Sequence, residues 1–273
     1  TSCYRQYKMK NILCIGADGY IGWYLAMHFA QKKPNYKMIC IDNCSKRYLQ
    51  HTTELNTFNN NVQITEKITL FNTITKQHNM IYEHGDITDQ EVVKKLIIKY
   101  MPEIIIYCAY QNSVILPTKN EESFFWTWNN NTTGILNVMQ QLKNNGCQPV
   151  ILNLTSLLDN PSNFCDLSKA NNSKNLSFLC RENKFLCIDI GYHEIYGIKI
   201  NNILHDNLLT RFSHDNTFGK ITNKFLYNAL LNNCIISVGD DQRELAIIEI
   251  NDFLKLIDFY LKTLLKRKEQ KKR

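Results

Sequence analysis

The chain has 273 residues, 44% of them apolar, and a formal net charge of +7, a length that suits one large α/β domain or one with a small appendage. No run approaches the ~18 apolar residues that a membrane-crossing helix needs, and the ten cysteines show no C-x-x-C and no metal-type pairing, so a reducing interior fits better than secretion. The charge is diffuse except in residues 262–273, which end KRKEQKKR. That tail reads as a frayed, solvated helix end or as an arm for an acidic surface or nucleic acid. No RNA-binding motif stands beside it. The chain opens at Thr1 rather than Met, and we expect a targeting segment to have been removed.

In chain order, MKNILCIGADGYIG comes first. Ile12, Leu13, Cys14 and Ile15 predict a strand buried on both faces. Gly16, Gly19 and Gly22 follow at three-residue spacing, and Trp23, Leu25, Ala26, His28 and Phe29 continue as a helix. Strand, glycines, then helix is the order of a dinucleotide-binding turn, with the diphosphate on the helix N-terminus. A second strand over 37–41 ends in Asp42, about twenty residues past Gly22, where a carboxylate accepts both ribose hydroxyls and repels a 2′-phosphate. The cofactor is therefore expected to be NAD rather than NADP.

Residues 43–78 read as a long polar insertion, mostly loop with one helix at most. A third strand near 81–85 leads into a helix over 90–100, capped by Thr88 or Asp89 and stopped by Pro102. Residues 103–109 (EIIIYCA) supply a fourth strand. A helix over 124–142 tolerates Gly134, and strands over 150–154 and 185–190 complete six. The pattern predicts a doubly wound parallel Rossmann sheet. Residues 8–190 form the NAD-binding domain, 191–265 a reduced C-terminal substrate lobe, and 266–273 the basic tail. In the lobe a helix over 218–232, a strand over 234–238 and a helix over 251–265 are expected.

The stretches IGADGYIGWYLAMHFA, IDNCSKR, GDITD, NNNTTGILNVM, LSK at 167–169 and IYGIK at 195–199 carry a resemblance to the extended short-chain dehydrogenase/reductase family, the NAD-dependent nucleotide-sugar epimerases and dehydratases. Within it the likeness is strongest to its UDP-sulfoquinovose synthase branch. The resemblance implies a cofactor set of Gly16, Gly19, Tyr20, Ile21, Gly22, Asp42, Asn43, Arg47, Asp86, Ile87, Ala109, Asn131 and Lys169. Asp86 and Ile87 fall after strand three, toward adenine, and residues 108–110 beside the nicotinamide ribose. Arg243 matches a family arginine for a UDP diphosphate.

Family chemistry needs a Tyr base, a Lys four residues on that lowers the phenol pKa, and a Ser or Thr on the same hydroxyl. By position Lys169 is that Lys and Thr155 that Thr, but the Tyr position holds Cys165. A thiolate beside Lys169 can be populated, yet sulfur ends roughly 3–4 Å nearer the backbone than a phenol oxygen, when proton transfer needs contact of about 3 Å. Tyr110, Tyr192 and His193 are substitute bases to test. The segment between Thr155 and Cys165 is also short for the family. These departures favour a pseudoenzyme that binds NAD and serves as a subunit of an organellar, plastid complex, docking through insertion 43–78 and the tail and exposing apolar surface near Phe164, Leu167, Trp126 and Trp128. The alternatives are an active NAD-dependent enzyme on a UDP-sugar and an RNA-associated protein of this fold.

Overall fold

A computed structural model of the chain describes residues 9–52, 57–58, 62–156, 161–198, 205–213, 217–231, 234 and 246–271. Six strands form one parallel sheet: β1 (Lys10–Ile15), β2 (Tyr36–Asp42), β4 (Met80–His84), β5 (Ile104–Tyr107), β6 (Val150–Ser156) and β7 (Leu186–Tyr192), in the order β4-β2-β1-β5-β6-β7. Cys14 lies opposite Cys40 on one side and Ile106 on the other. Alternate side chains of β1 enter different cores, Ile12 and Cys14 one, Leu13 and Ile15 the other. Burial on both faces is why this strand reads as an unbroken apolar run.

On one face lie α1 (Tyr20–Lys32), α3 (Ile64–Thr75) and α10 (Ile250–Gln270), and on the other α4 (Gln90–Tyr100), α7 (Gly134–Asn144) and α8 (Phe164–Glu182). Asp89 caps α4, its carboxylate accepting the amides of Glu91 at 2.9 Å and Val92 at 3.2 Å. Met101, at φ +42°, ends that helix before Pro102.

Three expectations need correction. The insertion 43–78 is chiefly helical, with α2 (Ser45–Thr52), a two-residue strand β3 (Thr57–Phe58) and α3. Ile64, Ile68 and Phe71 of α3 are buried in the core, a short apolar stripe hidden in the sequence by polar neighbours. The helix expected over 124–142 is present but not uniform: α6 (Glu121–Trp128) passes through a π-helical turn at Asn129–Thr133 into α7, and a short α5 (Leu116–Lys119) precedes it. The C-terminal helix does not fray at 265: it runs to Gln270, buries Ile257, Leu261 and Leu264, and pairs Lys268 with Glu103 at 3.2 Å. Residues 250–270 thus pack against the sheet itself.

The rest of the C-terminal half is small. β8 (Glu194–Tyr196) pairs in parallel with β10 (Ile247–Glu249), β9 (Phe212–Ser213) pairs with β3, and α9 (Ile221–Leu231) lies beyond. The expected strand over 234–238 and Arg243 fall outside the described residues, apart from Cys234. An aromatic row on α1 fastens this half to the sheet. The Tyr20 hydroxyl donates to Gly197 O at 2.5 Å, the Tyr24 hydroxyl to Ile198 O, and Trp23 Nε1 to Leu208 O at 2.6 Å.

His28, on the same helix, has a buried Nε2 without a hydrogen-bond partner among the described residues. Burial, and then the adjacent Lys32, lowers its pKa from 6.5 to about 4. The folded state therefore binds fewer protons than the unfolded state between those values, and the stability present above pH 6.5 is lost as pH falls toward 4. The loss is about 3 kcal/mol. Urea denaturation at pH 7 and pH 4.5 should show it, with His28→Leu less sensitive to that change. Equal sensitivity would remove His28 as the cause.

Candidate cofactor cleft and catalytic positions

A cleft with about 700 Å³ of empty space runs along the carboxyl ends of the strands, the position at which open parallel sheets bind ligands. Its floor is the turn from β1 to α1. Gly16 takes φ +84°, and a Cβ there would lie 2.7 Å from the backbone of Cys108 and Ala109. A Cβ on Gly22 would stand 2.1 Å from Gly16 O, so α1 can approach β1 this closely only through glycine. Gly19 is the N-cap of α1 and brings no side-chain acceptor to its first turn. The turn is a bare cradle for a diphosphate, backed by a helix N-terminus.

A buried charge cluster stands beside the cradle. The Asp18 carboxylate receives Arg47 Nε at 2.5 Å and Nη2 at 2.6 Å, and Arg211 Nη2 lies 3.3 Å away. Arg211 also donates to Asp18 O, at 2.8 Å from Nη2. Burial pulls the Arg211 pKa down, and Asp18 opposes that effect. Asp42, at the end of β2, accepts Asp18 N at 2.9 Å and Cys44 N at 2.8 Å, one on each oxygen. Burial and the neighbouring Asp18 charge push its carboxyl above the usual range, while the two amides pull it back. Each oxygen keeps a second lone pair, which a ribose hydroxyl can use.

At the end of the cleft beside β4, Asp86 holds its own loop, accepting Thr88 N at 2.8 Å, Thr88 Oγ1 at 2.7 Å and Asn43 Nδ2 at 2.9 Å. Ile87 and Asn43 line the cleft. At the other end Asn131 straightens the loop after β5, with Oδ1 accepting Gln111 N at 2.8 Å and Nδ2 donating to Gln111 O at 3.0 Å and Ser168 Oγ at 2.9 Å.

The catalytic positions lie behind this wall. Cys165 is fully buried, and its thiol donates to Gln111 O at 3.0 Å. Burial pushes the thiol pKa up, against a smaller pull from Lys169, which favours the thiol over the thiolate that Lys169 could have drawn out. Lys169 is itself buried, and desolvation lowers its pKa. Thr155 Oγ1 is buried without a hydrogen-bond partner among the described residues. None of the three is among the described residues lining the cleft. Of the substitute bases, Tyr110 lines the cleft, but its hydroxyl is already engaged. The Tyr110 hydroxyl donates to Asn153 Oδ1 at 2.8 Å and accepts from Asn172, and burial raises its pKa. Tyr192 packs edge-on against Phe253 and is likewise raised by burial. His193 is half-buried between β7 and β8.

Gly16, Gly19, Asp42, Asn43, Ile87 and Ala109 thus reach the cleft, whereas Tyr20, Ile21, Gly22, Arg47, Asp86, Asn131 and Lys169 sit behind it. The Tyr20 ring points to the C-terminal half and not to a ligand. Sequence reasoning missed Lys46, Trp126, Arg211 and Phe218 in the walls. Lys46 Nζ stands 5.0 Å from the Phe218 ring centroid, across the cleft mouth. An arginine in an irregular stretch carries no periodic signal, and nothing near Arg211 marks it.

A family model described as "NAD dependent epimerase/dehydratase family" matches residues 12–270. The chain is similar to the chloroplastic UDP-sulfoquinovose synthase of Spinacia oleracea, 24% identical over 91% of this chain, and spans 57% of that protein's length. It is also similar to the UDP-sulfoquinovose synthase of Sulfolobus acidocaldarius, 23% identical over 92% of this chain and 70% of the relative. In fold it resembles UDP-glucose 4-epimerase from Bifidobacterium longum, solved in complex with NAD+ and UDP. The TM-score is 0.67 at 15% identity, over 90% of this chain and 72% of the other.

Removing one partner of a buried ion pair leaves an uncompensated charge. Asp18→Asn should therefore cost about 3–5 kcal/mol, read as a lower denaturation midpoint in guanidinium chloride. A cost under about 1 kcal/mol, the range of exposed pairs, would mean that solvent reaches Arg47 and Arg211.

Proposed function

The chain belongs to the NAD-dependent epimerase/dehydratase family, and we propose that it is a member that retains the cofactor site and lacks the family's chemistry. The cofactor is NAD, which supplies hydride acceptance when bound. The residues of this chain fit it: the Gly16–Gly19 cradle takes the diphosphate, Asp42 the adenosine ribose, and Asn43 and Ile87 the adenine side. Ala109 borders the nicotinamide end. Asn131 acts through the Gln111 backbone, and Asp86 through the Asn43 amide.

One observation carries the reading. The position of the family's proton-abstracting phenol is Cys165, whose sulfur faces the Gln111 carbonyl inside the protein. General-base work needs a group within hydrogen-bond reach of the substrate proton, and this thiol is turned away with its charged form disfavoured. The retained Thr155 and Lys169 support a second reading, an active enzyme on a UDP-sugar with a base from elsewhere. The RNA reading loses support because Lys268 pairs with Glu103, just before β5. That is the amino-terminal end of the strands, opposite the cleft, so the described tail residues are set apart from the cleft.

A protein without its own chemistry needs a partner for its role. Phe125 is 54% exposed and Leu167 43%, while Phe164 stacks on Phe124 at 3.8 Å and on Trp128 at 5.7 Å. This apolar surface beside the cleft supports membership of a larger assembly. The insertion is a weaker docking element than its polarity suggested, because Arg47 and Lys67 turn inward. The likeness to a chloroplastic enzyme supports placing that assembly in a plastid.

Calorimetry should show NAD(H) binding, tighter than NADP(H). UDP-glucose with sulfite should give no product above a Lys169→Ala background, and Cys165→Tyr alone should not restore turnover. Product above that background would establish the active reading instead. The native protein should elute from its organelle within a hetero-oligomer, and a free monomer or homodimer at physiological salt would refute the subunit role.

A further inference from the structure

On the side of the sheet away from α1, a groove with about 840 Å³ of empty space opens between the end of α8 and the start of β7. Its walls include Cys180 and Cys187, both free thiols and near enough for their side chains to interact. The chain between them is already closed into a tight turn. Phe185 N donates to Cys180 O at 2.9 Å, and Lys184 takes φ +56°. Joining residues so near in sequence and already in contact needs little further loop closure. Arg181, Lys184 and Lys271 also line the groove, against the single carboxylate of Asp189. An anionic reagent is drawn to such a surface.

The other described core thiols differ. Cys14 and Cys40 are sealed in the core, so Cys108, which reaches the cleft, has only the sealed Cys14 beside it, and the thiols of Cys165 and Cys147 are committed to the carbonyls of Gln111 and Pro102. From contact, closure, access and surrounding charge together, we infer that Cys180 and Cys187 are a dithiol site that is oxidised to a disulfide by a small anionic disulfide of the glutathione type. The site is independent of the NAD cleft and of the proposed function.

The neighbouring Cys187 favours the Cys180 thiolate, as do the positive charges of Arg181 and Lys184 beside it at the end of α8, which makes Cys180 the attacking group. Its sulfur attacks one sulfur of oxidised glutathione, forming a mixed disulfide and releasing one glutathione thiolate. The Cys187 thiol gives its proton to that thiolate and attacks Cys180 Sγ, forming the intramolecular disulfide. The second glutathione leaves as a thiolate that takes up the proton lost when Cys180 ionised. Two electrons pass from the protein to the oxidised glutathione, giving two reduced glutathiones.

The test uses the full chain in equal concentrations of oxidised and reduced glutathione, followed by alkylation under denaturing conditions and peptide mapping without reductant. Trypsin cuts after Arg181 and Lys184, between the two cysteines, so the disulfide appears as two cross-linked peptides. We expect that cross-link in most of the protein, with Cys14, Cys40 and Cys165 recovered alkylated. Recovery of Cys180 and Cys187 as alkylated thiols, or as separate glutathione adducts, would overturn the inference. In Cys187→Ser, one glutathione should be trapped on Cys180. An adduct on Cys187 in Cys180→Ser, with none on Cys180 in Cys187→Ser, would overturn the assigned order of attack.

Discussion

The carboxylate of Asp18 holds together three stretches of chain that are remote in sequence. It sits inside the glycine turn, takes the Arg47 guanidinium from α2 in two hydrogen bonds, and draws in Arg211 from the C-terminal half. Its amide ties in the end of β2 through Asp42. Bidentate guanidinium–carboxylate pairing fixes orientation as well as distance. Apolar packing could hold the same segments together without saying which way the turn faces. Lys67 reinforces the arrangement from α3, donating to Leu209 O at 2.9 Å and lying over the Trp23 ring at 5.6 Å.

The same physics sets the catalytic positions apart. A phenol at position 165 carries its polar atom well beyond its own backbone, whereas a thiol remains among its neighbours and accepts their dielectric. Once Cys165 packs against the Gln111 carbonyl, burial weakens the charged forms of both Cys165 and Lys169. The pair that would tune each other in an enzyme becomes part of a packed interior. The hydroxyl of Tyr110, at the cleft wall, is tied to the same interior through Asn153, which in turn donates to Asp189 at 2.8 Å.

The parts of the fold that were legible in the sequence are those where one residue pattern answers to one environment. β1 and β5 are buried on both faces and read as apolar runs, and Gly16 and Gly22 are demanded by backbone atoms within 3 Å of where a Cβ would stand. The Asp89 cap was legible because capping is local. α3 was missed because its partner surface comes from distant strands, so that Ile64, Ile68 and Phe71 look like isolated apolar residues among polar ones. The π-helical turn at Asn129–Thr133 was hidden for a similar reason: tertiary demands at Asn131 and Gly134 shift the helical phase. At the site, Gly16, Gly19 and Asp42 were found from spacing. The inward turn of Cys165 and the recruitment of Arg211 depend on loops whose course no local pattern encodes.

The path of α10 also decides how the molecule can be handled. The helix is capped by Glu249 beside β8, at the cleft end of the sheet, and its 21 residues span about 30 Å before Lys268 meets Glu103 at the other end. A fluorophore, affinity handle or surface tether joined after this helix therefore emerges on the side facing away from the cleft. A molecule immobilised there presents the glycine turn and the exposed aromatic surface of Phe124 and Phe125 to the solution, and the anchor itself cannot cover either one.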